Sequence, residues 1–182
     1  DEVLDEVGPD VLRYHFLRQG LDSTIDFDLA VVTAQSMENP VYYVQYAHAR
    51  IASVLRNADE RGFDPGSSDD ADLSLLTHPA ELALLTAMAG LPLVVAEAAE
   101  LRATQRLARY AEELAGTFHR FYVECRILAP ASGETDAPGG EVTADPALGR
   151  ARYHLAGAAK QVLANALALL RARPGALPVR LS

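Results

Sequence analysis

Asn39-Pro-Val-Tyr-Tyr-Val-Gln-Tyr-Ala-His-Ala-Arg50 is the stretch that decides the fold, because it predicts the start of one long helix. Asn39 suits the N-cap, where its side-chain oxygen can accept an unpaired backbone N–H, and Pro40 suits the first helical position. From there, apolar residues recur at three- and four-residue steps and predict a stripe that faces a core. That stripe comprises Val44, Ala47, Ile51, Val54 and Leu55.

A second line of residues on this helix favours nucleic-acid binding. Tyr43, Tyr46 and Arg50 recur at the same helical steps, beside the apolar stripe. Aromatic rings offer flat faces to unstacked bases, and a guanidinium can stack on a base or fork onto a phosphate. Two tyrosines at helical spacing also occur where the rings pack on the core and the hydroxyls reach water. The pattern alone leaves both interpretations open.

The same stretch closely resembles the signature of the helical DALR anticodon-binding domain of arginyl-tRNA synthetases. The likeness covers most of the chain, because other segments also resemble this domain: Asp1–Phe16, Arg106–Ala115, Phe118–Arg126 and Gln161–Leu167. The resemblance implies an all-α fold, an antiparallel helical bundle. In three places the sequence departs from the family: Asp10-Val-Leu-Arg13 replaces Asp-Ala-Leu-Arg, Met37 stands where a polar Asn is expected, and the tail after Leu170 is altered. We therefore carry over no contact made by the family's tail.

The resemblance also assigns roles to residues. It implies that Tyr43 and Tyr46 stack bases of the anticodon loop, while Arg50 bonds a base edge or a phosphate. Asn39, Gln45 and Arg56 are further candidates for RNA contact. The implied partner is the anticodon stem-loop of arginine tRNA, with the central cytidine of the anticodon as the expected determinant.

A longer parent protein follows from the same likeness. That parent is an arginine–tRNA ligase whose catalytic domain uses ATP and Mg²⁺. The chain starts at Asp1, without Met and within a family motif, so we expect it to be a C-terminal piece that is inactive as a ligase alone. Residues 1–37 would link the catalytic domain, a partner of this chain, to a bundle of residues 38–182. We expect a cytoplasmic monomer that binds no DNA.

The motifs that amino-acid activation needs are not in this sequence. It has no His-x-Gly-His motif and no Gly-rich phosphate loop, and Lys160 is its only lysine. The five histidines lie far apart and lack metal-ligand spacing. We therefore predict no catalytic residue, no metal site and no cofactor in this chain.

Composition predicts one domain in a reducing compartment. A chain of 182 residues suffices for one well-packed domain. Its single cysteine, Cys125, excludes an internal disulfide, and we expect a buried, inert thiol. No apolar run is long enough to cross a bilayer and no leader is visible, so we expect no membrane contact and no secretion.

Charge is distributed unevenly along the chain. The formal net charge of -9 argues against a generally basic nucleic-acid binder. From Pro146 to the end, however, the sequence contains no Asp or Glu, and its cations are Arg150, Arg152, Lys160, Arg171, Arg173 and Arg180. This asymmetry fits either a basic face for RNA or ordinary solvated helix surface.

Periodicity predicts the remaining elements. Further helices are expected after Pro9, over Phe27–Met37, after Pro79 with a break at Gly90 and Pro92, after the cap Thr104, and over Pro146–Leu170. The helix after Thr104 has the longest apolar stripe and should be central: Leu107, Tyr110, Ala111, Leu114, Phe118, Phe121, Tyr122 and Cys125. Loops are predicted over Arg61–Asp72 and Pro130–Pro146, which are rich in Pro, Gly, Ser and acidic residues.

Two alternatives stay open. The first is the homologous helical domain of a cysteinyl- or glycyl-tRNA synthetase, although the Tyr-Gln-Tyr-Ala-His-Ala-Arg segment favours arginine. The second is a diverged helical module that binds protein, which the net acidity and the altered tail favour. Salt separates RNA binding from protein binding, because RNA binding weakens steeply with salt and apolar protein docking does not.

Overall fold

The computed structural model of the chain describes residues 7–21, 23, 28–34, 36–128 and 145–174. These ranges contain α-helices and no β-strand, which confirms the all-α prediction. The α-helices are α1 (Pro9–Leu17), α2 (Leu29–Thr33), α3 (Pro40–Glu60), α4 (Pro79–Ala89), α5 (Leu91–Glu100), α6 (Gln105–Glu124) and α7 (Pro146–Leu169). Two short 3-10 turns, Ser68–Asp70 and Leu73–Leu75, lie between α3 and α4.

Helix α6 lies at the centre of the bundle, as its sequence predicts. It packs against α1, α3, α4, α5 and α7. Its buried residues are Leu107, Ala108, Tyr110, Ala111, Leu114, Ala115, Phe118 and Phe121. The prediction that Thr104 caps this helix through its side chain is wrong, because the Thr104 hydroxyl donates instead to the carbonyl of Leu17, at 3.2 Å. Thr104 thereby ties the start of α6 to the end of α1.

Helix α3 begins at Pro40 as predicted, but Asn39 does not cap it as expected. The Asn39 side chain makes no capping hydrogen bond and is only 3% exposed. Its amide nitrogen donates to the carbonyls of Val32 and Ala34, at 2.9 and 3.0 Å, and so holds α2 against the start of α3. The apolar stripe is confirmed: Val44, Ala47 and Ile51 are buried, and Val54 and Leu55 pack against the core.

A buried ion pair joins α4 to α7. Glu81 and Arg152 have side chains that are 1% and 2% exposed, and their Oε1 and Nε atoms are 2.5 Å apart. Arg152 also donates to the carbonyl of Arg126, and the other Glu81 oxygen accepts the N–H of His78 in a capping box. Arg152 therefore does not belong to a basic surface, contrary to one of the two interpretations of the C-terminal cations.

Helix α1 is part of the same core. Tyr14 is fully buried and donates its hydroxyl to the Ala108 carbonyl or the Glu112 carboxylate, each at 3.2 Å. Glu112 pairs with Arg18, at 2.7 Å, rather than with a neighbour on its own helix. Phe16, also on α1, is 48% exposed. The division of the chain at residue 37 stays a prediction.

The loop after α3 is attached to α7 more closely than its composition suggests. The ring of Phe63 lies 5.8 Å from that of Tyr153, and His154 Nε2 lies 3.0 Å from the Pro65 carbonyl. Arg150 Nε donates to the Asp64 carbonyl at 3.2 Å. The other predicted loop, residues 130–146, lies almost entirely outside the described residues.

Helices α4 and α5 are apolar on most sides. Leu82 of α4 is 48% exposed, whereas Leu84 is buried. By length and composition the 22-residue run Pro79–Glu100 is apolar enough to cross a bilayer, with mean hydropathy 1.9 over an 18-residue window, contrary to the sequence-based expectation. One such run is a weak indication of a membrane span, and the Glu81–Arg152 pair fixes α4 to the bundle.

Candidate nucleic-acid interface

Two tyrosines of α3 stack on each other one helical turn apart. The ring centroids of Tyr42 and Tyr46 are 6.2 Å apart and their planes differ by 16°. Both side chains are half-buried, since they lie between the core stripe and solvent. The helical spacing predicted Tyr46 as a contact residue but did not include Tyr42. This stacked pair gives α3 an aromatic surface of the kind on which bases stack.

Arg50 lies one turn further along and is held by two aromatic residues. Its Nη1 donates to the Tyr46 hydroxyl at 2.8 Å. Its Cζ lies 4.6 Å from the ring centroid of Tyr122 on α6 and 5.9 Å from that of Tyr46. Among the described residues, no carboxylate forms an ion pair with Arg50. Its positive charge therefore faces aromatic rings and is not neutralised by an ion pair in this part of the chain.

Tyr43 lies on the side of α3 that faces α6. Its ring centroid is 5.2 Å from that of His119, and a Cβ placed on Gly116 would lie 3.2 Å from its hydroxyl. Burial raises the pKa of Tyr43 above its ordinary value. Tyr43 thus packs more closely on the core than Tyr46 and has less ring surface to offer.

His119 connects these rings from the α6 side. Its ring lies 5.8 Å from that of Tyr46 as well as against Tyr43. Burial lowers the pKa of His119, and the nearby Arg50 charge lowers it further, so the imidazole is neutral near pH 7. Its Nε2 is buried and finds no hydrogen-bond partner among the described residues. We define the aromatic cluster as Tyr42, Tyr43, Tyr46, Arg50, His119 and Tyr122.

The three less central candidates make their contacts elsewhere. Asn39 is buried at the α2–α3 junction. Gln45 donates to the carbonyl of Arg173 at 3.0 Å, which places it on the side of α3 that faces the C-terminal segment. Arg56 is exposed and lies 3.8 Å from Glu60 on the same helix. None of these contacts joins Asn39, Gln45 or Arg56 to the aromatic cluster.

Within the described residues, two cations of the C-terminal section are neutralised by carboxylates inside the molecule. Arg152 pairs with the buried Glu81, and Arg173 pairs with Asp10 of α1, at 2.9 Å. A third, Arg150, donates to a backbone carbonyl of the loop after α3. Fewer cations of the C-terminal section are therefore free to bind an anion than the number of its arginines and lysines implies.

Tyr42, His119 and Tyr122 belong to the aromatic cluster, although the sequence pattern does not single them out. Tyr42, Tyr46 and Arg50 are spaced four residues apart, which is the closest alignment on a helix. The sequence prediction instead paired Tyr46 with Tyr43, three residues before it. His119 and Tyr122 are three residues apart on α6 and share a face. Tyr122 was counted among core residues because its spacing matches the apolar stripe. Only the packing of α6 on α3 shows that its ring lies beside Arg50.

The lone thiol does not create a second site. Cys125 is buried, as expected, and its Sγ lies 3.4 Å from Nδ1 of His78. That nitrogen already accepts the backbone N–H of Ala80 at the start of α4, so His78 is engaged as a helix cap. Within the described ranges no group of three or more His, Cys, Asp or Glu residues is placed to hold a metal ion.

Comparison with known proteins identifies relatives over nearly the whole chain. An arginine–tRNA ligase of Frankia alni is 50% identical over 169 residues, which cover 93% of this chain and 29% of the relative. One of Heliobacterium modesticaldum is 50% identical over 141 residues, covering 75% of this chain and 25% of the relative. The chain thus spans a little over a quarter of the length of the curated relatives it matches.

Solved structures show the same architecture. The arginyl-tRNA synthetase of Thermus thermophilus superposes with a TM-score of 0.71 and 30% identity, covering 93% of this chain and 26% of that chain. The family model described as the DALR anticodon binding domain matches residues 44–175, which include most of α3 and all of α4 to α7. The chain therefore belongs to the DALR anticodon-binding domain family.

Proposed function

We propose that this chain is the tRNA-recognising part of an arginine–tRNA ligase and that its aromatic cluster binds bases of the anticodon loop. The family description and the names of the relatives support arginine tRNA as the partner. They also favour arginine over the cysteine and glycine alternatives. The observation that carries the proposal is the stacked Tyr42–Tyr46 pair beside the guanidinium of Arg50.

Each part of the cluster has a distinct task in this proposal. The rings of Tyr42 and Tyr46 receive bases that are unstacked from the loop, and such stacking tolerates several bases because every base has a π face. Arg50 supplies directional donors to a base edge or a phosphate oxygen. Tyr43, with less exposed ring, supports the first turn of α3 and contributes less to contact.

In the longer protein, this domain would hold the anticodon end of the tRNA while a separate catalytic domain acts on the acceptor end. Amino-acid activation with ATP and Mg²⁺ would take place in that catalytic domain, since the 182 residues of this chain contain no nucleotide-binding motif. The chain alone would then make no aminoacyl-adenylate. We also propose a monomer that works in the cytoplasm and binds neither DNA nor a membrane.

The proposal is tested by the affinity of the 182-residue chain for a fluorescently labelled arginine anticodon stem-loop. We expect tighter binding than to the same stem-loop with its central cytidine replaced by uridine. The logarithm of the affinity should fall with the logarithm of salt, with a slope of about -0.7 for each phosphate neutralised. Affinity that is independent of salt would refute RNA recognition and favour the protein-binding alternative. Equal affinity for both loops would refute recognition of the central cytidine.

A matched control separates the cluster from charge in general. Arg56 is an exposed arginine on the same helix, and it pairs with Glu60. Arg50→Gln should weaken binding and reduce discrimination between the two loops. Arg56→Gln should leave discrimination unchanged, since Arg56 makes no contact with the cluster.

A further inference from the structure

Tyr122 holds Arg50 from a different helix. Arg50 is on α3 and Tyr122 is on α6, with 4.6 Å between the guanidinium carbon and the ring centroid. Together with the 2.8 Å hydrogen bond to the Tyr46 hydroxyl, this contact fixes the guanidinium from two directions. Long arginine side chains otherwise sample many rotamers, and ordering one on binding weakens affinity.

The Tyr122 ring is itself fixed by the core. Its centroid lies 6.2 Å from that of Phe118, which is 1% exposed. Phe118 also contacts the rings of His119 and Phe121. A continuous line of side-chain contacts therefore runs from the buried centre of α6 through Tyr122 to Arg50.

In the part of the chain that the structure describes, Arg50 has no carboxylate partner. Arg18 and Arg106, by contrast, pair with Glu112 and Glu97 at 2.7 and 2.8 Å. An aromatic face attracts a cation without neutralising it, so the positive charge stays available to a ligand. Tyr122 can thus restrict the position of Arg50 without competing for the anion that Arg50 would bind.

We propose that Tyr122 is a positioning residue that pre-orders Arg50 for RNA recognition, and that it thereby helps to determine base specificity. The proposal rests on the proposed function of the aromatic cluster and extends it to a residue on α6. It assigns Tyr122 no direct contact with RNA.

The pre-ordering predicts a specific set of affinities for the arginine anticodon stem-loop. Tyr122→Leu should weaken binding by about two- to tenfold, the affinity equivalent of ordering one long side chain. It should also reduce the ratio of the affinities for the cytidine and uridine loops. Tyr122→Phe keeps the aromatic face and should bind as the unchanged chain does. In an Arg50→Met background, Tyr122→Leu should have no further effect.

The outcomes distinguish this inference from the function on which it rests. If Arg50→Met itself leaves binding unchanged, the cluster is not the RNA site and both proposals are wrong. If Arg50→Met weakens binding but Tyr122→Leu does not, only the positioning role is overturned. The same holds if Tyr122→Leu weakens binding as much in the Arg50→Met background as in the unchanged chain. Tighter binding by Tyr122→Leu would also overturn it, because Tyr122 would then be holding Arg50 away from the RNA.

Folding is checked on the same samples. Thermal melts and helical circular dichroism of each variant show whether α3 and α6 still pack. If Tyr122 has only a structural role, Tyr122→Leu should lower the melting temperature. It should then weaken binding to both stem-loops by the same factor, with Arg50 present or absent. That result would count against the inference.

Discussion

Replacement of Tyr46 by Ala is the sharpest single test of the aromatic cluster. Tyr46 stacks on Tyr42, touches His119 and accepts the hydrogen bond of Arg50, so it lies at the middle of the site. Removal of one base–aromatic stack weakens binding by about 1 to 3 kcal/mol. In affinity this is about five- to 150-fold. We expect Tyr46→Ala to weaken binding by at least that much, because Arg50 also loses an anchor.

The effect of the same change on folding should be smaller than for a core tyrosine. Tyr46 is half-buried, so truncation opens the surface rather than leaving a closed cavity, for which about 3 to 5 kcal/mol would be expected. Truncation removes two aromatic pairs, with Tyr42 and His119, each worth about 0.5 to 1.5 kcal/mol, and one hydrogen bond of similar strength. At about 2 to 4 °C for each kcal/mol, the melting temperature should fall by about 3 to 18 °C.

Two variants control for the removal of a tyrosine. Tyr46→Phe keeps the stacking face and removes only the hydrogen bond to Arg50, so it should lose much less affinity than Tyr46→Ala. Tyr153→Ala removes another half-buried tyrosine, which contacts Phe63 and Asp59 away from the cluster, and should change stability but not RNA affinity. Fluorescence anisotropy and thermal melts on all three measure both quantities. If Tyr46→Ala melts lower but binds RNA as before, Tyr46 is core lining, and bases must bind elsewhere.

Three further predictions concern charge. Glu81→Gln should destabilise the fold by about 3 to 5 kcal/mol, measured by urea unfolding, because it leaves Arg152 charged and buried; Glu97→Gln, in an exposed pair, should cost under about 1 kcal/mol. Arg50→Lys keeps the charge but removes the planar fork, so a large drop in RNA affinity would indicate geometric recognition and a small drop a simple phosphate contact. The pKa of His119 is lower in the folded chain than its ordinary 6.5, so its contribution to stability is complete above pH 6.5 and declines as the pH falls below that value. His119→Gln should make urea midpoints at pH about 7.5 and about 5 differ less than in the unchanged chain.

Helix α3 shows how much of this fold could be predicted from local sequence. Its start at Pro40 and its buried stripe follow from proline geometry and periodicity, which act within a few residues. The role of Asn39 could not be predicted in the same way. The side chain is chemically suited to a cap, yet it donates to two carbonyls of the preceding segment, and that choice depends on where α2 packs.

Buried charge sets a second limit on prediction. Composition counts Arg152 among the surface cations, because isolated burial of a guanidinium is strongly unfavourable. Glu81 removes that penalty from a position 71 residues away, and nothing in the local pattern of either helix indicates the pairing. The ion pair also turns the Glu81 side of α4 toward the core. Leu84, three residues after Glu81, is buried on the side that the ion pair selects.

The aromatic cluster combines both kinds of information, and this explains why its recognition surface needs the whole bundle. Tyr42, Tyr46 and Arg50 form a line that α3 alone specifies, at four-residue spacing. An isolated helix would present these side chains in many rotamers, and ordering them on RNA would weaken affinity. His119 and Tyr122 of α6 restrict them from outside α3, and Phe118 fixes Tyr122 in turn. In our proposal, local sequence thus determines which residues touch RNA. Core packing on another helix determines how well their side chains are ordered before RNA binds.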